Sequence, residues 1–138
     1  FMTLCYGAKL VLCKKEVIYD PGQITSLIEV QKITTLHFVP SMLSAFLEQV
    51  DATMAARLKS LRHVIASGEA LPVTTVRKYY EKLGIPLHNL YGPTEASVDV
   101  TYYETSPVDE VIPIGKPIWN TRMYILDKDG NLDIYDKN

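Results

Sequence analysis

The chain has 138 residues, of which 47% are hydrophobic and 22% charged, and its formal net charge is −2. This composition is ordinary for a globular protein, and the length allows one domain, or a piece of a larger one, with a moderate core. The 14 basic residues are scattered, and no apolar run is long enough to cross a bilayer, so we expect neither a nucleic-acid nor a membrane partner. The two cysteines, Cys5 and Cys13, match no metal or disulfide pattern and favour reduced thiols in a cytoplasmic protein.

The first part of the chain predicts strands that alternate with helices. The apolar run Lys9–Cys13 predicts a buried strand, and Asp20-Pro21 supplies the cap and first residue of a helix. Ile33–Phe38 is β-branched and aromatic and predicts a second strand. We expect Ser41 to cap the helix that follows it.

The alternation continues through the middle of the chain. His63–Ala66 predicts a third strand that ends in a turn at Ser67. Pro72 opens a helix that Gly84 is placed to end, and Pro86–Leu90 predicts a fourth strand. Strands and helices in this order indicate an α/β fold with a mostly parallel sheet covered by helices.

The C-terminal part is richer in predicted β-structure. Val100–Tyr103 and Arg122–Leu126 predict strands without an intervening helix. Asp127–Asn131 predicts a turn rather than a calcium loop, because its glycine stands at the fourth position and no glutamate closes it. The chain begins inside an apolar stretch without a capping signal and stops soon after this turn, so we expect a fragment truncated at both ends.

The most informative stretch is Asn89–Glu95, with the sequence Asn-Leu-Tyr-Gly-Pro-Thr-Glu. The amide of Asn89 can pair with a base edge, and the ring of Tyr91 can stack on a base. The Gly-Pro turn bends the backbone close to a phosphate, where the Thr94 hydroxyl can donate a hydrogen bond and Glu95 can hold Mg²⁺. A plain tight turn after a buried strand is the alternative for a lone Tyr-Gly-Pro.

Polar residues follow three of the predicted strands. They are His37, then Ser67-Gly68-Glu69, then Asn89–Glu95. In an open α/β sheet the carboxyl ends of the strands form the edge where ligands bind. We therefore expect these three groups to converge on one site.

The stretch Asn89–Glu95, together with the Ala-Ser-Val-Asp-Val-Thr-Tyr-Tyr-Glu that follows it, closely resembles the adenine- and magnesium-binding motif of adenylate-forming enzymes. The resemblance is strongest to the amino-acid adenylation domains of nonribosomal peptide synthetases. Ile114–Ile118 and Asn120 also fit that family, so the resemblance covers essentially the whole chain. It implies that residues 1–138 are part of an adenylation domain, a fragment of the large N-terminal subdomain.

The resemblance implies a role for each matching residue. Asn89 would contact the adenine amino group, Tyr91 would stack on the base, Thr94 would touch the α-phosphate and Glu95 would bind magnesium. Thr94 and Glu95 are thus the implied catalytic residues. The implied nucleotide-binding set is Gly68, Glu69, Ala70, Asn89, Tyr91, Gly92 and Thr94.

The family selects its amino acid with a small set of pocket positions, which fall here on His37, Ile65, Ser67, Leu90, Val98 and Asp99. This order resembles that of serine-activating domains. His37, Ser67 and Asp99 also offer donors and acceptors for one hydroxyl, and a site built for a hydroxyl rejects the analogue that lacks it.

Simpler interpretations of some of these residues stay open. A lone His37 on a strand is more often a core histidine. Val98 and Asp99 are adjacent, so they can line one pocket only if the backbone is irregular there. His63 and His88 are interpreted as strand residues without a catalytic role.

The resemblance implies a parent protein that activates L-serine with ATP and Mg²⁺ to seryl-adenylate and pyrophosphate. The product would load the phosphopantetheine thiol of a carrier-protein domain beside a condensation domain. The phosphate loop and the lysine for the substrate carboxylate are missing, so we expect the fragment alone to be inactive. The alternatives are an acyl- or aryl-CoA ligase of the same superfamily and a non-catalytic nucleotide-binding fragment.

Overall fold

The computed structural model describes residues 5, 7–96 and 98–132 of the chain. Its helices are α1 (Pro21–Gln31), α2 (Pro40–Gln49), α3 (Ala52–Arg57) and α4 (Val73–Lys82). Its strands are β1 (Thr35–Phe38), β2 (His63–Ala66), β3 (Leu87–Tyr91), β4 (Thr101–Glu104) and β5 (Lys116–Pro117). Short 3-10 helices span Lys15–Tyr19 and Thr94–Ala96. None of the helices in these described ranges is long and apolar enough to span a membrane.

The strands form one sheet in the order β1-β2-β3-β4-β5. The first three are parallel, whereas β4 and β5 join as antiparallel strands. The α/β fold with a mostly parallel sheet and a more β-rich C-terminal part is thus confirmed. Phe38 pairs with Ala66, and Ala66 pairs with Asn89, so the carboxyl ends of the parallel strands lie side by side.

The two faces of the sheet differ in burial. Phe38, Val64, Ala66 and Leu87 belong to the buried core, together with residues of α2 and α4 such as Leu47. The other face, called here the open face, carries side chains that are exposed or only half-buried. They are Thr35, His37, His63, Ile65, His88, Leu90, Tyr102 and Glu104. Because side chains alternate along a strand, neighbouring residues of β3 point to opposite faces of the sheet.

The helix starts agree with the sequence at α1 and differ at α2. Asp20 caps α1 by accepting a hydrogen bond from the backbone N–H of Gln23 at 3.1 Å, and proline follows as predicted. The predicted capping role of Ser41 is wrong, because α2 begins at Pro40, after Val39. The free N–H of Ser41 instead donates to the Glu69 carboxylate at 3.1 Å, a partner that only the tertiary fold supplies.

Two predicted strands are absent from the described part of the chain. Lys9–Cys13 has no regular structure and its Leu10 and Leu12 are exposed, and Arg122–Leu126 has only the single bridge between Leu126 and Leu132. An apolar run becomes a strand only when a neighbouring strand offers backbone groups for pairing. The sequence pattern shows the apolar run, but it does not show whether a partner strand lies beside it.

The short helix α3 was not predicted, although Asp51 caps it by accepting from the N–H of Met54 at 2.8 Å. The predicted turn at Asp127–Asn131 is present. The Asp127 carboxylate accepts the backbone N–H groups of Asp129 and Asn131, both at 2.9 Å. The hydrogen bonds from Asn131 and its neighbours hold the pKa of Asp127 below its ordinary value.

Adjacent tyrosines of α4 have hydroxyl groups in opposite environments. Tyr79 is fully buried, its hydroxyl has no hydrogen-bond partner among the described residues, and burial raises its pKa. The Tyr80 hydroxyl donates to the carbonyl of Thr105 at 2.7 Å and accepts from the N–H of Leu87 at 3.2 Å. Tyr80 therefore joins α4 to β3, whereas the Tyr79 hydroxyl joins nothing in this part of the structure.

We expect Tyr79→Phe to leave the free energy of unfolding unchanged or to raise it, because the change removes an unpaired buried hydroxyl. Tyr80→Phe, the matched change one residue later, should lower it by about 1–3 kcal/mol, because the Leu87 N–H loses its partner. Urea unfolding of both variants measures the difference. Equal losses in the two variants would contradict this assignment.

Candidate functional site

A cleft of about 340 Å³ lies where β2 and β3 end. Its walls are residues 68–71 and 89–93, and Ile112 and Ile114 complete the lining. Two separate segments of the predicted nucleotide-binding set thus meet at one place. The two isoleucines were not part of that set, because nothing local to them indicates a cleft.

Asn89 lies at the bottom of this region and is 6% exposed. Its side-chain Nδ2 donates to the carbonyl of Pro113 at 3.0 Å. This bond fixes the amide and leaves its carbonyl oxygen as an acceptor, which is what the amino group of an adenine requires. Pro113 is 24 residues away in the sequence, so its contribution could not be predicted from the Asn89–Glu95 motif.

The turn after β2 is fastened to helix α2. The Glu69 carboxylate accepts the backbone N–H of Ser41 at 3.1 Å and its hydroxyl at 3.2 Å. A carboxylate at a helix N-terminus is favourable because the unpaired N–H groups there carry partial positive charge. Glu69 therefore holds the Gly68–Ala70 wall of the cleft in place, and its charge is already partnered. Gly68 has a φ of +90°, a conformation that favours glycine.

The opposite wall depends on close backbone packing at Gly92. A Cβ atom there would overlap the carbonyl oxygen of Val98 and would lie 2.7 Å from the Cα of Asp99. The N–H of Val100 donates to the Tyr91 carbonyl at 2.8 Å and holds the two segments together. Tyr91 is 45% exposed at the end of β3, so its ring is accessible to a ligand.

Thr94 and Glu95 lie beyond the cleft lining, in the 3-10 helix Thr94–Ala96. The N–H of Ala96 donates to the Pro93 carbonyl at 2.9 Å and closes this turn. Both side chains are exposed, and neither makes a hydrogen bond within the described part of the chain. A hydroxyl and a carboxylate are thus presented at the edge of the cleft.

His37 and Ser67 are brought into direct contact on the open face. The His37 Nε2 lies 2.7 Å from the Ser67 hydroxyl. Ser67 itself is buried, with 6% of the residue exposed. Ile65 pairs with His37 across the parallel strands, so its side chain lies beside the histidine. Leu90 projects to this face as well, opposite to Asn89, because the two are neighbours in β3.

Val98 and Asp99 stand outside the strands. Val98 has a φ of +83°, so the backbone irregularity that the pocket interpretation requires is present. Val98 is 62% exposed and Asp99 is half-buried. Within the described residues no hydrogen bond joins Asp99 to His37 or Ser67, so the structure brings together one part of the predicted pocket and leaves these two on the adjoining loop.

A larger hollow of about 430 Å³ lies between helix α1 and the segment before it. Its lining is almost entirely aliphatic and aromatic, and His37 is among the few polar residues in it. Such walls offer few partners for phosphates or base edges, so the smaller cleft between the two turns suits a nucleotide better.

Comparison with known proteins gives a family and several relatives. The model of the family described as AMP-binding enzyme matches residues 1–136. Vanchrobactin synthetase VabF of Vibrio anguillarum is 44% identical, over 92% of this chain and 5% of its own length. Enterobactin synthase component F of Escherichia coli (strain K12) is 43% identical, over 92% of this chain and 10% of its own length. The chain thus spans a tenth or less of these two relatives.

Solved structures agree with these relatives. PA1221, a nonribosomal peptide synthetase protein with adenylation and PCP domains, has a TM-score of 0.72 at 25% identity, covering 83% of this chain and 23% of its own. The synthetase FmoA3 in its α-methyl-L-serine-AMP bound form has a TM-score of 0.68 at 28% identity, covering 80% of this chain and 13% of its own. CmiS6 has a TM-score of 0.84 at 26% identity, covering 96% and 33%.

We expect Gly92→Ala to lower the free energy of unfolding by about 1–3 kcal/mol, the cost of forcing an atom into a packed space. Gly84→Ala is the matched control, because a Cβ at Gly84 meets nothing within 4 Å and the backbone there is not left-handed. That control should be neutral or slightly stabilising. Chemical unfolding of both variants checks this, and a harmless Gly92→Ala would mean that the Val98 loop does not pack on the glycine.

Proposed function

The chain belongs to the AMP-binding enzyme family, as an adenylation domain of the nonribosomal peptide synthetase type, and we propose that the protein carrying it activates L-serine. ATP and L-serine would form seryl-adenylate and pyrophosphate. The observation that carries the choice of serine is the contact between His37 and the buried Ser67 hydroxyl. The order of the neighbouring pocket positions resembles that of serine-activating domains, and the related FmoA3 has a structure in an α-methyl-L-serine-AMP bound form.

The cleft supports the nucleotide half of the proposal. The carbonyl oxygen of the Asn89 amide would accept a hydrogen bond from the adenine amino group, and Tyr91 would supply a stacking surface. The Gly68–Ala70 turn, held by Glu69 and Ser41, would lie against the other side of the base. The cleft is large enough for a purine ring, while the phosphates would extend towards Thr94.

Glu95 fits the magnesium ion that such chemistry uses. Its carboxylate is exposed and is not engaged by the described residues, so it is free to ligate a cation that prefers oxygen. The ion would neutralise charge on the phosphates when it is bound. Thr94, one residue earlier, would donate its hydroxyl to the α-phosphate and orient it for attack by the amino-acid carboxylate.

The open face supports the substrate half of the proposal. The hydroxyl of serine can both donate and accept, and the Ser67 hydroxyl, which bonds His37 Nε2 at 2.7 Å, would keep a further donor or acceptor function for it. Ile65 and Leu90 would limit the volume beside the pair, which disfavours larger side chains. Asp99, on the adjoining loop, would add an acceptor when the substrate is bound.

The later step would transfer the seryl group to a phosphopantetheine thiol on a carrier domain, with a condensation domain as the next partner. PA1221 is a relative that contains adenylation and PCP domains in one protein. In this transfer the thiolate would attack the seryl carbonyl, and AMP would leave with the electron pair of the broken mixed-anhydride bond.

The protein that carries this chain should exchange pyrophosphate into ATP fastest with L-serine. The measurement compares L-serine with L-alanine, L-threonine and a carboxylic acid that lacks the amino group. Faster exchange with alanine or threonine would overturn the serine assignment, and faster exchange with the simple acid would favour an acyl- or aryl-CoA ligase. Absence of exchange with every substrate would favour a non-catalytic nucleotide-binding role.

His37→Leu should lower the ratio of kcat/KM for serine to that for alanine by about tenfold or more, since a lost buried hydrogen bond costs about 1–3 kcal/mol. Alanine has no hydroxyl, so it should lose less. Thr35→Val, two residues earlier on the same face, is the matched control and should leave the ratio unchanged. An equal loss for both amino acids in His37→Leu would show that His37 only supports the fold.

A further inference from the structure

Three polar side chains meet on the open face, beside the pocket positions Ile65 and Leu90 but not among the residues assigned to ATP and serine. They come from neighbouring strands: His63 from β2, His88 from β3 and Glu104 from β4. The Nδ1 of His63 lies 3.1 Å from the Nε2 of His88, and the Nδ1 of His88 lies 4.0 Å from a carboxylate oxygen of Glu104. None of the three lines the cleft at the ends of β2 and β3.

The strands fix the positions of these side chains. His88 pairs with Ile65 in β2, two residues after His63, so both histidines project from the same face. On its other side His88 pairs directly with Glu104. Side chains on paired strands are held more precisely than side chains on loops, because backbone hydrogen bonds limit the movement of their Cα atoms.

We propose that His63 and His88 bind a transition-metal ion of the Zn²⁺, Ni²⁺ or Cu²⁺ class, with Glu104 as a nearby charge that favours the ligating tautomer of His88. Imidazole nitrogens bind such ions at about 2.0–2.1 Å, so two nitrogens 3.1 Å apart subtend about 95–100° at a shared ion. That angle lies between the octahedral and tetrahedral values. Because the two nitrogens face each other in a hydrogen bond, each ring would turn by about 40° to aim its lone pair at the shared ion.

The proton arrangement is compatible with metal binding. In the hydrogen bond between the two rings, one of the facing nitrogens carries a proton. For both facing nitrogens to bind an ion, that ring must lose this proton and take one up at its outer nitrogen, by exchange with water. In His88 that outer nitrogen is Nδ1, which lies 4.0 Å from a Glu104 carboxylate oxygen, and the negative charge there favours this tautomer without a direct hydrogen bond. Burial lowers the pKa of His88, an effect that Glu104 partly opposes and His63 reinforces.

The donor set selects the class of ion. Nitrogen ligands suit Zn²⁺, Ni²⁺ and Cu²⁺, whereas Mg²⁺ and Ca²⁺ prefer oxygen. Among the described residues no group of three or more histidine, cysteine, aspartate or glutamate side chains converges as a metal cage. The ion would thus keep water at its other positions, and the exposure of His63 leaves it open to a further ligand.

Calorimetric titration of the chain with ZnCl₂ and NiCl₂ tests the proposal. The background carries Cys5→Ser and Cys13→Ser, because both thiols are exposed and bind the same ions. One ion per chain is expected, with binding lost in His63→Gln and in His88→Gln. Glu104→Gln should weaken binding by a smaller factor than either histidine change, because the carboxylate lies 4.0 Å from His88 and acts through its charge rather than through a direct hydrogen bond.

The third histidine provides the matched control. His37→Gln should leave the affinity for Zn²⁺ unchanged, because His37 contacts Ser67 and not the His63–His88 pair. Circular dichroism before each titration verifies that each variant is folded. Undiminished binding in His63→Gln or His88→Gln, or absence of binding to the unsubstituted pair, would overturn the proposal.

A second measurement needs no variant. In nitrogen-detected NMR of the histidine rings, Zn²⁺ should shift Nδ1 of His63 and Nε2 of His88 and leave the His37 ring unchanged. Equal small shifts in all three rings would indicate non-specific association and would also overturn the site.

Discussion

The register of the three parallel strands is the constraint on which the rest of the site depends. Phe38, Ala66 and Asn89 lie in one row across the sheet, so the segments that follow them begin at the same edge. The N–H of Ser67 continues the pairing by donating to the Phe38 carbonyl at 3.1 Å. A shift of one residue would turn every side chain of a strand to the other face. The cleft and the contact between His37 and Ser67 would then be lost together.

Alternation along β3 places consecutive side chains on opposite faces of the sheet. Asn89 belongs to the buried side and meets Pro113, whereas Leu90, the next residue, belongs to the open face with His37 and Ile65. In the proposed function, a nucleotide and an amino-acid side chain would therefore be recognised by consecutive residues without competing for the same space. The reacting groups would meet beyond the strand end, where the backbone turns at Gly92.

Several side chains hold the site without being candidates for chemistry. Glu69 ties the turn after β2 to Ser41 at the start of α2. Tyr80 ties α4 to the backbone of Leu87 in β3 and to Thr105 after β4. These contacts connect the walls of the cleft to helices that are packed into the core, so the geometry of the cleft is supported by the folding of the whole sheet. The histidine pair at His63 and His88 belongs to the same sheet but lies on its open face.

The sequence by itself determined the α/β class, the strand His63–Ala66, the Asp20 cap and the Asn89–Glu95 motif, because these depend on local periodicity, capping and turn chemistry. It did not determine which apolar runs find a partner strand, so the strands predicted at Lys9–Cys13 and Arg122–Leu126 are wrong. Only the tertiary structure decided that Glu69 binds Ser41, that Pro113 fixes the Asn89 amide and that His37 contacts Ser67. Each of these contacts joins residues more than twenty positions apart, and no local pattern specifies the distance between them.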